Sequence, residues 1–174
     1  MKLSNQRRKA SWRDGGLAAT RYERANPGVR KSSRDEDIHM HIDYWHDDQG
    51  VDVKGNNLPD EIWVEFKNVN GDHGWLFGEA TSIAFDMPEL AAFVVVDREQ
   101  LKEYCRDNVD FTALVSKQEA YKKCYQRKDR EDLITYLVLE DLKQLPSYNV
   151  VGYCSTYLHP ETNKVCSVFD NYIY

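Results

Sequence analysis

Two short apolar runs, GVDVKG at residues 50–55 and IWVEFK at residues 62–67, each place a carboxylate at their centre. Alternating β-branched, aromatic and polar residues are typical of strands, so Asp52 and Glu65 are predicted to lie within two strands. A charge buried in a sheet costs several kcal/mol unless an opposite charge or a metal ion compensates it. The short connection NNLPD favours antiparallel pairing, which would put Asp52 beside Glu65. Lys67 follows two residues later and is predicted to share the face of Glu65.

This arrangement predicts a patch of two carboxylates and one ammonium group. Adjacent carboxylates repel unless a proton or a cation separates them, and oxygen ligands at this density suit Mg²⁺ or Mn²⁺. Such a metal can polarise a phosphodiester and lower the pKa of a bound water, while Lys67 orients the water or stabilises charge on the phosphate. The alternative is a cross-strand salt-bridge ladder on a solvated sheet face, where each pair contributes only about 0.2–1 kcal/mol.

The 174 residues suit a single α/β (α+β) domain spanning residues 1–174. Alternation and turn signals predict a central mixed sheet with an antiparallel meander, flanked by helices. Strands are predicted at 38–46, 51–55, 61–69, 81–87 and 90–97, helices at 17–25 and 98–108, a helical turn at 75–80, a strand followed by a helical turn at 133–145, and a hairpin at the C-terminus.

Charge is distributed unevenly along the chain. Residues 1–34 contain ten Lys or Arg and two Asp or Glu, whereas the rest of the chain contains 13 and 27. This basic N-terminal helical arm is either a contact for a phosphate backbone or a solvated tail. The four cysteines form no Cys-x-x-Cys pair, which disfavours a zinc ribbon and indicates reduced thiols in a cytosol. The basic N-terminus lacks an apolar core, so no secretory signal is expected.

Asp52, twelve intervening residues and then Glu65-Phe66-Lys67 resemble the signature of the PD-(D/E)XK nuclease superfamily, which includes restriction enzymes and phage resolvases. The resemblance covers residues 17–97 and implies a restriction-endonuclease-like core with Asp52, Glu65 and Lys67 as catalytic residues. It also implies that the carbonyl of Phe66 is a metal ligand and that Glu23, on the first helix, completes the metal site. Residues 98–174 would be a family-specific extension.

Other polar groups offer competing interpretations. His39 and His41 are predicted on one strand, and His41 or Asp43 could be an extra ligand or an ordinary polar strand residue. The loop after the second run could place Asn68, His73 and Trp75 against nucleic acid, although Trp75 is equally compatible with the core. The segment KQEAYKKCYQRKDR at 117–130 mixes cations with tyrosines, which fits either strand binding or a solvated face.

Together these features predict a Mg²⁺- or Mn²⁺-dependent nuclease, an endonuclease acting on DNA. The expected partner is nucleic acid, with a possible homodimer for cutting both strands and no membrane. The expected location is the cytoplasm, or the host cytoplasm for a viral or phage protein. The alternative function is a catalytically inactive nuclease-fold protein that binds protein or nucleic acid.

Overall fold

A six-stranded mixed β-sheet lies at the centre of the structure, a computed structural model that describes residues 15–56 and 58–153 and the strands at 156–158 and 165–167. In chain order the helices and strands are α1 (15–25), β1 (Arg30–Lys31), β2 (Tyr44–His46), β3 (Gln49–Gly55), β4 (Ile62–Lys67), β5 (Ser82–Met87), β6 (Ala92–Asp97), α2 (Arg98–Asn108), β7 (Asp110–Leu114), β8 (Lys123–Cys124), β9 (Leu133–Leu137), α3 (Leu139–Leu142), β10 (Asn149–Gly152), β11 (Thr156–Leu158) and β12 (Val165–Ser167). A π-helical turn spans Glu36–Met40, and 3₁₀ turns span Trp75–Phe77, Pro88–Leu90 and Lys117–Glu119.

The central sheet has the strand order β1-β2-β3-β5-β6-β10. Its β3–β5 pair is parallel, with Asp52 opposite Ile83, and its other pairs are antiparallel. A parallel pair requires a long crossover connection, and residues 56–81 provide it. This crossover contains β4, which leaves the central sheet and pairs antiparallel with β9 instead.

Apolar side chains pack on both faces of the central sheet. On one face α1 covers a small cluster that includes Tyr22, Tyr44 and Val51. On the other face the larger core contains apolar residues of β4, β5, β6 and α2, among them Val64, Phe85, Val94, Leu101 and Cys105. The sheet is therefore buried between two layers, and Asp52 lies on the larger-core side because its neighbours in β3 face α1.

The predicted α/β class, with a central mixed sheet flanked by helices, is confirmed, and so are the elements predicted at 81–87, 90–97, 98–108 and 133–145. The predicted pairing of 51–55 with 61–69 is wrong, because the turn at 56–60 leads into a crossover and not into a hairpin. The strand predicted at 38–46 is wrong before Tyr44, since the π-helical turn occupies its first residues. Residues 1–14, which carry five of the ten Lys or Arg of the basic arm, lie outside the described residues. Within the described residues, no helix is both long and apolar enough to cross a bilayer.

Candidate active site

Strand β3 places a carboxylate and an ammonium group side by side on one face of the central sheet. Asp52 and Lys54 are two residues apart, and Lys54 Nζ lies 2.7 Å from Asp52 Oδ1. Asp52 is only 2% exposed, and burial raises the pKa of its carboxyl while the charge of Lys54 opposes that rise. The other carboxylate oxygen, Oδ2, is buried and receives no hydrogen bond from an N–H or hydroxyl group, and the carboxyl of Asp43 lies within hydrogen-bonding reach of Asp52. Because an unpaired buried acceptor is costly, a proton or a cation at this oxygen would be stabilising.

Asp43 supplies a second carboxyl from the residue just before β2. Its Oδ2 accepts a 2.7 Å hydrogen bond from the N–H of Val53, in the middle of β3. Burial raises the pKa of Asp43 to about 6, and the charge of the facing Asp52 carboxyl contributes to this rise. Two carboxyls this close ionise together only at a cost, unless a cation lies between them.

Lys54 is the positive centre of this cluster. Burial lowers the pKa of its ammonium group, but the carboxylates of Asp52, Asp43 and Glu65 together raise the pKa by more, so the net shift is upward. The ammonium nitrogen also lies 5.3 Å from the centroid of the Trp75 ring, a cation–π contact. Lys54 is therefore charged at neutral pH and held between carboxylates and an aromatic face.

Glu65 acts on the cluster from β4, outside the central sheet. Burial raises the pKa of its carboxyl, whereas the charges of Lys54 and Arg127 lower it. The backbone of Glu65 packs tightly on Gly74, where an added Cβ would lie 2.4 Å from the Glu65 carbonyl oxygen. Glycine at position 74 is required by this close approach, which holds β4 against the turn that carries Trp75.

His41 lies at the rim of the site, at the end of the π-helical turn, with a left-handed backbone φ of 54°. Burial and the charge of Lys54 lower the pKa of its imidazole, while Asp37 and Asp43 oppose that effect. An added Cβ on Gly78 would lie 2.7 Å from His41 Cβ, so the glycine allows the two segments to touch. The imidazole is therefore neutral at neutral pH and can accept or donate a hydrogen bond.

The structure brings only part of the predicted catalytic set together. Asp52 and Glu65 both interact with the charge of Lys54, but they lie in different sheets. Lys67 is exposed, and a bulge shifts its pairing with β9 relative to that of Glu65. The ammonium group beside Asp52 is thus that of Lys54 and not that of Lys67.

The two further predicted metal ligands have other partners. The carbonyl of Phe66 accepts a 2.9 Å hydrogen bond from the N–H of Gly74. Glu23 lies on α1, on the opposite face of the sheet from Asp52, and accepts a 2.8 Å hydrogen bond from the hydroxyl of Tyr44.

The three residues predicted to contact nucleic acid also have defined positions. Asn68 Oδ1 accepts two backbone N–H groups of its own turn, at 2.9 and 3.2 Å. His73 is exposed and packs edge-on against Phe77. Trp75 is 8% exposed and packs against Phe85, so of its two interpretations the structure favours the core.

A cleft of about 560 Å³ opens beside Glu65, and we call it the basic–aromatic cleft. Its walls come from β4, the 3₁₀ turns at Trp75–Phe77 and Lys117–Glu119, and the segment 125–134. Its aromatic and basic residues are Trp63, Trp75, Tyr125, Lys117, Arg127, Lys128 and Arg130.

The donors around Asp52 can be compared with the needs of a divalent metal. Within residues 15–56 and 58–153, no group of three or more His, Cys, Asp or Glu side chains is placed to hold a metal ion. Mg²⁺, however, is commonly held by one or two carboxylates and keeps several waters. Asp43 and Asp52 provide two carboxylates, one with an unpartnered oxygen. The residues present therefore fit a hard cation bound by few protein ligands.

From the sequence, the lysine of the site was placed on the second run and Asp43 had only a secondary role, whereas in the structure Lys54 is the lysine beside Asp52. The signal for the lysine was present, because Asp52-Val53-Lys54 is itself an acid-x-lysine run whose first and third side chains share a face. Asp43, nine residues upstream of Asp52, was recognised only as an extra ligand. Its position opposite Asp52 follows from the tight turn at 47–48 between β2 and β3.

Comparison of the chain with protein-family models, curated proteins and solved structures finds no match.

Proposed function

We propose that this chain is a divalent-metal-dependent phosphodiester hydrolase, an endonuclease acting on DNA, whose site is formed by Asp43, Asp52, Lys54 and Glu65. The observation that carries the proposal is the buried, unpartnered Oδ2 of Asp52 beside a second carboxyl whose pKa burial raises to about 6. A purely structural ion pair would need only one carboxylate for one ammonium group. The second carboxyl makes the site a net acceptor of positive charge.

The residues take roles that follow from their surroundings. Asp43 and Asp52 would hold Mg²⁺ or Mn²⁺, together with the carbonyl of Val53, which points to the same strand edge as the N–H that Asp43 accepts. The bound metal would supply Lewis-acid polarisation of the phosphate and a more acidic water. Lys54, charged at neutral pH, would stabilise negative charge on the phosphate. Glu65, with a raised pKa, is suited to accept a proton from the attacking water.

The order of elements supports a restriction-endonuclease-like core for this site. Helix α1 precedes three strands that pair antiparallel in succession, β1 to β3, and β5 then lies parallel to β3. In this arrangement the acid-x-lysine run on the third strand is Asp52-Val53-Lys54. The run Glu65-Phe66-Lys67 lies on β4, within the crossover between β3 and β5. Cutting both strands of a duplex would require two such sites, which a homodimer would provide.

A plasmid-cleavage assay in Mn²⁺ tests the proposal. Asp52→Asn and Lys54→Met should each lower the cleavage rate by about a hundredfold or more, the size of effect seen when a charge-stabilising group is removed. The matched controls are Asp141→Asn and Lys122→Met, because Lys122 Nζ lies 2.8 Å from Asp141 Oδ1 in a similar pair that contains no residue of the proposed site. Equal losses in both pairs of variants would attribute the effect to folding, and unchanged rates in the first pair would reject the hydrolase.

The second candidate is a catalytically inactive protein of the same fold that binds nucleic acid or protein. It is favoured by the same Lys122–Asp141 pair, which shows that the chain uses a buried lysine–aspartate pair elsewhere. A protein with no metal-dependent cleavage and no stabilisation by Mn²⁺ would belong to this class.

A further inference from the structure

We propose that the basic–aromatic cleft binds a single-stranded nucleic acid, with a base stacked on Trp63 and the neighbouring phosphates held by the surrounding cations. That the strand is then presented for cleavage rests on the proposed function, whereas the binding itself does not. The inference starts from the coincidence of an aromatic wall and a basic rim in one cleft beside Glu65.

The aromatic wall is a fixed cluster centred on Trp63. The Trp63 ring lies 5.3 Å from the ring of Tyr136 and 6.2 Å from that of Tyr125, and its Nε1–H donates a 3.2 Å hydrogen bond to Glu61. These contacts hold the indole in place while it remains half-buried at the cleft. The ammonium group of Lys117 lies over the ring at 5.6 Å from its centroid. A stacked base contributes more than an exposed cation–π contact, so an entering base would displace this lysine towards a phosphate.

The basic rim combines one anchored and two unpaired cations. Arg127 binds the fully buried Asp132 through Nε, which fixes the position of its guanidinium group. Lys128 and Arg130 are exposed, and among the described residues neither forms an ion pair. Cations on both sides of an aromatic face are the arrangement that single-strand binders use, since phosphates flank each stacked base.

The size of the cleft and the position of Glu65 select the form of nucleic acid. A volume of about 560 Å³ accommodates one or two nucleotides but not a double helix. Glu65 lies in the wall of the cleft and also interacts with Lys54, so a strand in the cleft would lead towards the carboxylate pair. An acidic peptide could pair with the cations of the cleft, but it would place no aromatic ring on the indole of Trp63, so a nucleic acid fits the cleft better.

Fluorescence anisotropy with labelled oligonucleotides of about 12 nucleotides tests this inference, with EDTA present so that cleavage does not interfere. Single-stranded DNA, single-stranded RNA and a DNA duplex are compared between 50 and 200 mM salt, a range in which phosphate contacts weaken strongly. The test variant is Lys128→Ala/Arg130→Ala, and the matched control is Lys102→Ala/Arg106→Ala on α2. A third variant, Trp63→Phe, keeps an aromatic ring but removes the fluorescence of this one of the four tryptophans.

We expect a single strand to bind at least tenfold more tightly than the duplex. The test variant should weaken binding by about tenfold and reduce the slope of log Kd against log salt by about 1.4, which corresponds to two lost phosphate contacts. Tryptophan fluorescence should be quenched on binding, and this quenching should be smaller in Trp63→Phe, where Trp75 is the remaining tryptophan of the cleft. Equal weakening in the control, duplex preference, or unchanged quenching in Trp63→Phe would overturn the inference, as would binding of only an acidic peptide.

The two proposals fail in different ways. Single-strand binding that depends on the cleft, without any cleavage in Mn²⁺, would support the cleft and reject the hydrolase. Cleavage that depends on Asp52 but is unaffected by the cleft variants would support the hydrolase and reject presentation of the strand for cleavage by the cleft.

Discussion

The raised pKa of Asp43 makes the stability of this protein depend on pH in a specific way. Its carboxyl has a pKa of about 6 in the folded chain against an ordinary value of 3.8, mainly because of burial and then because of the charge of Asp52. The folded state therefore takes up a proton that the unfolded state releases between about pH 4 and pH 6, so stability is lost as pH rises through this window. A difference of about two pKa units corresponds to about 3 kcal/mol.

Asp43→Asn should remove this penalty. The amide keeps an oxygen that can accept the N–H of Val53, yet it carries no charge to oppose that of Asp52. In EDTA at pH 7.5 the variant should be more stable than the wild type by up to about 3 kcal/mol, or about 6–12 °C in Tm for a chain of this size. At pH 4 the two proteins should be about equally stable, since Asp43 is then protonated.

Urea denaturation at pH 4 and pH 7.5 measures both differences, with Asp48→Asn in the exposed β2–β3 turn as the control. The variant should also lose the stabilisation that Mn²⁺ gives the wild type at pH 7.5. A variant that is less stable than the wild type at pH 7.5, or one with the same pH dependence, would refute the reasoning about charge repulsion.

Three further perturbations test individual contacts. Gly74→Ala should destabilise the fold by about 1–3 kcal/mol in urea denaturation, because the added methyl group meets the carbonyl of Glu65 at 2.4 Å; an unchanged midpoint would contradict this packing. Lys54→Met should destabilise the fold by about 3 kcal/mol at pH 8 and by less at acid pH, where Asp52 takes up a proton; a loss that is independent of pH would point to packing instead. Burial raises the pKa of the Cys105 thiol to about 12, so iodoacetamide at pH 8 should label it only after unfolding, as measured by peptide mass spectrometry, and rapid native labelling would show an accessible thiol.

The sequence predicted local elements well because their signals are local. The strand pair at 81–97 follows from two β-branched runs separated by Pro88, and α2 begins where Asp97 accepts the N–H of Gln100. The pairing of β3 was not predictable in this way. Two strands joined by a short turn usually pair antiparallel. Strand β3 pairs with β5 instead, because β4 packs into the larger core and pairs with β9, about 70 residues later in the chain.

The sequence indicated some of the residues that cluster around Lys54 and missed others. Asp52 and Glu65 follow from charges inside apolar runs, and both interact with Lys54 in the structure. The sequence could not show that Asp43 belongs beside Asp52, because the strand predicted across Asp43 begins only at Tyr44. The position of its side chain is defined by the hydrogen bond that it accepts from the N–H of Val53. Lys67 was preferred because it was predicted to share the face of Glu65, and the family resemblance then agreed with that choice. The ion pair with Asp52 is made instead by Lys54, its nearer neighbour on β3.

The proposed function depends on the carboxylates of Asp43 and Asp52 binding one divalent cation together. A crystal of the protein soaked in Mn²⁺ and measured for anomalous scattering tests it directly. The expected result is one strong anomalous peak between the two carboxylates, adjacent to the Oδ2 atom of Asp52, that is absent from crystals of Asp52→Asn. Asp52 bonded only to Lys54 in a well-ordered soaked crystal, with no anomalous peak near Asp43, would contradict it.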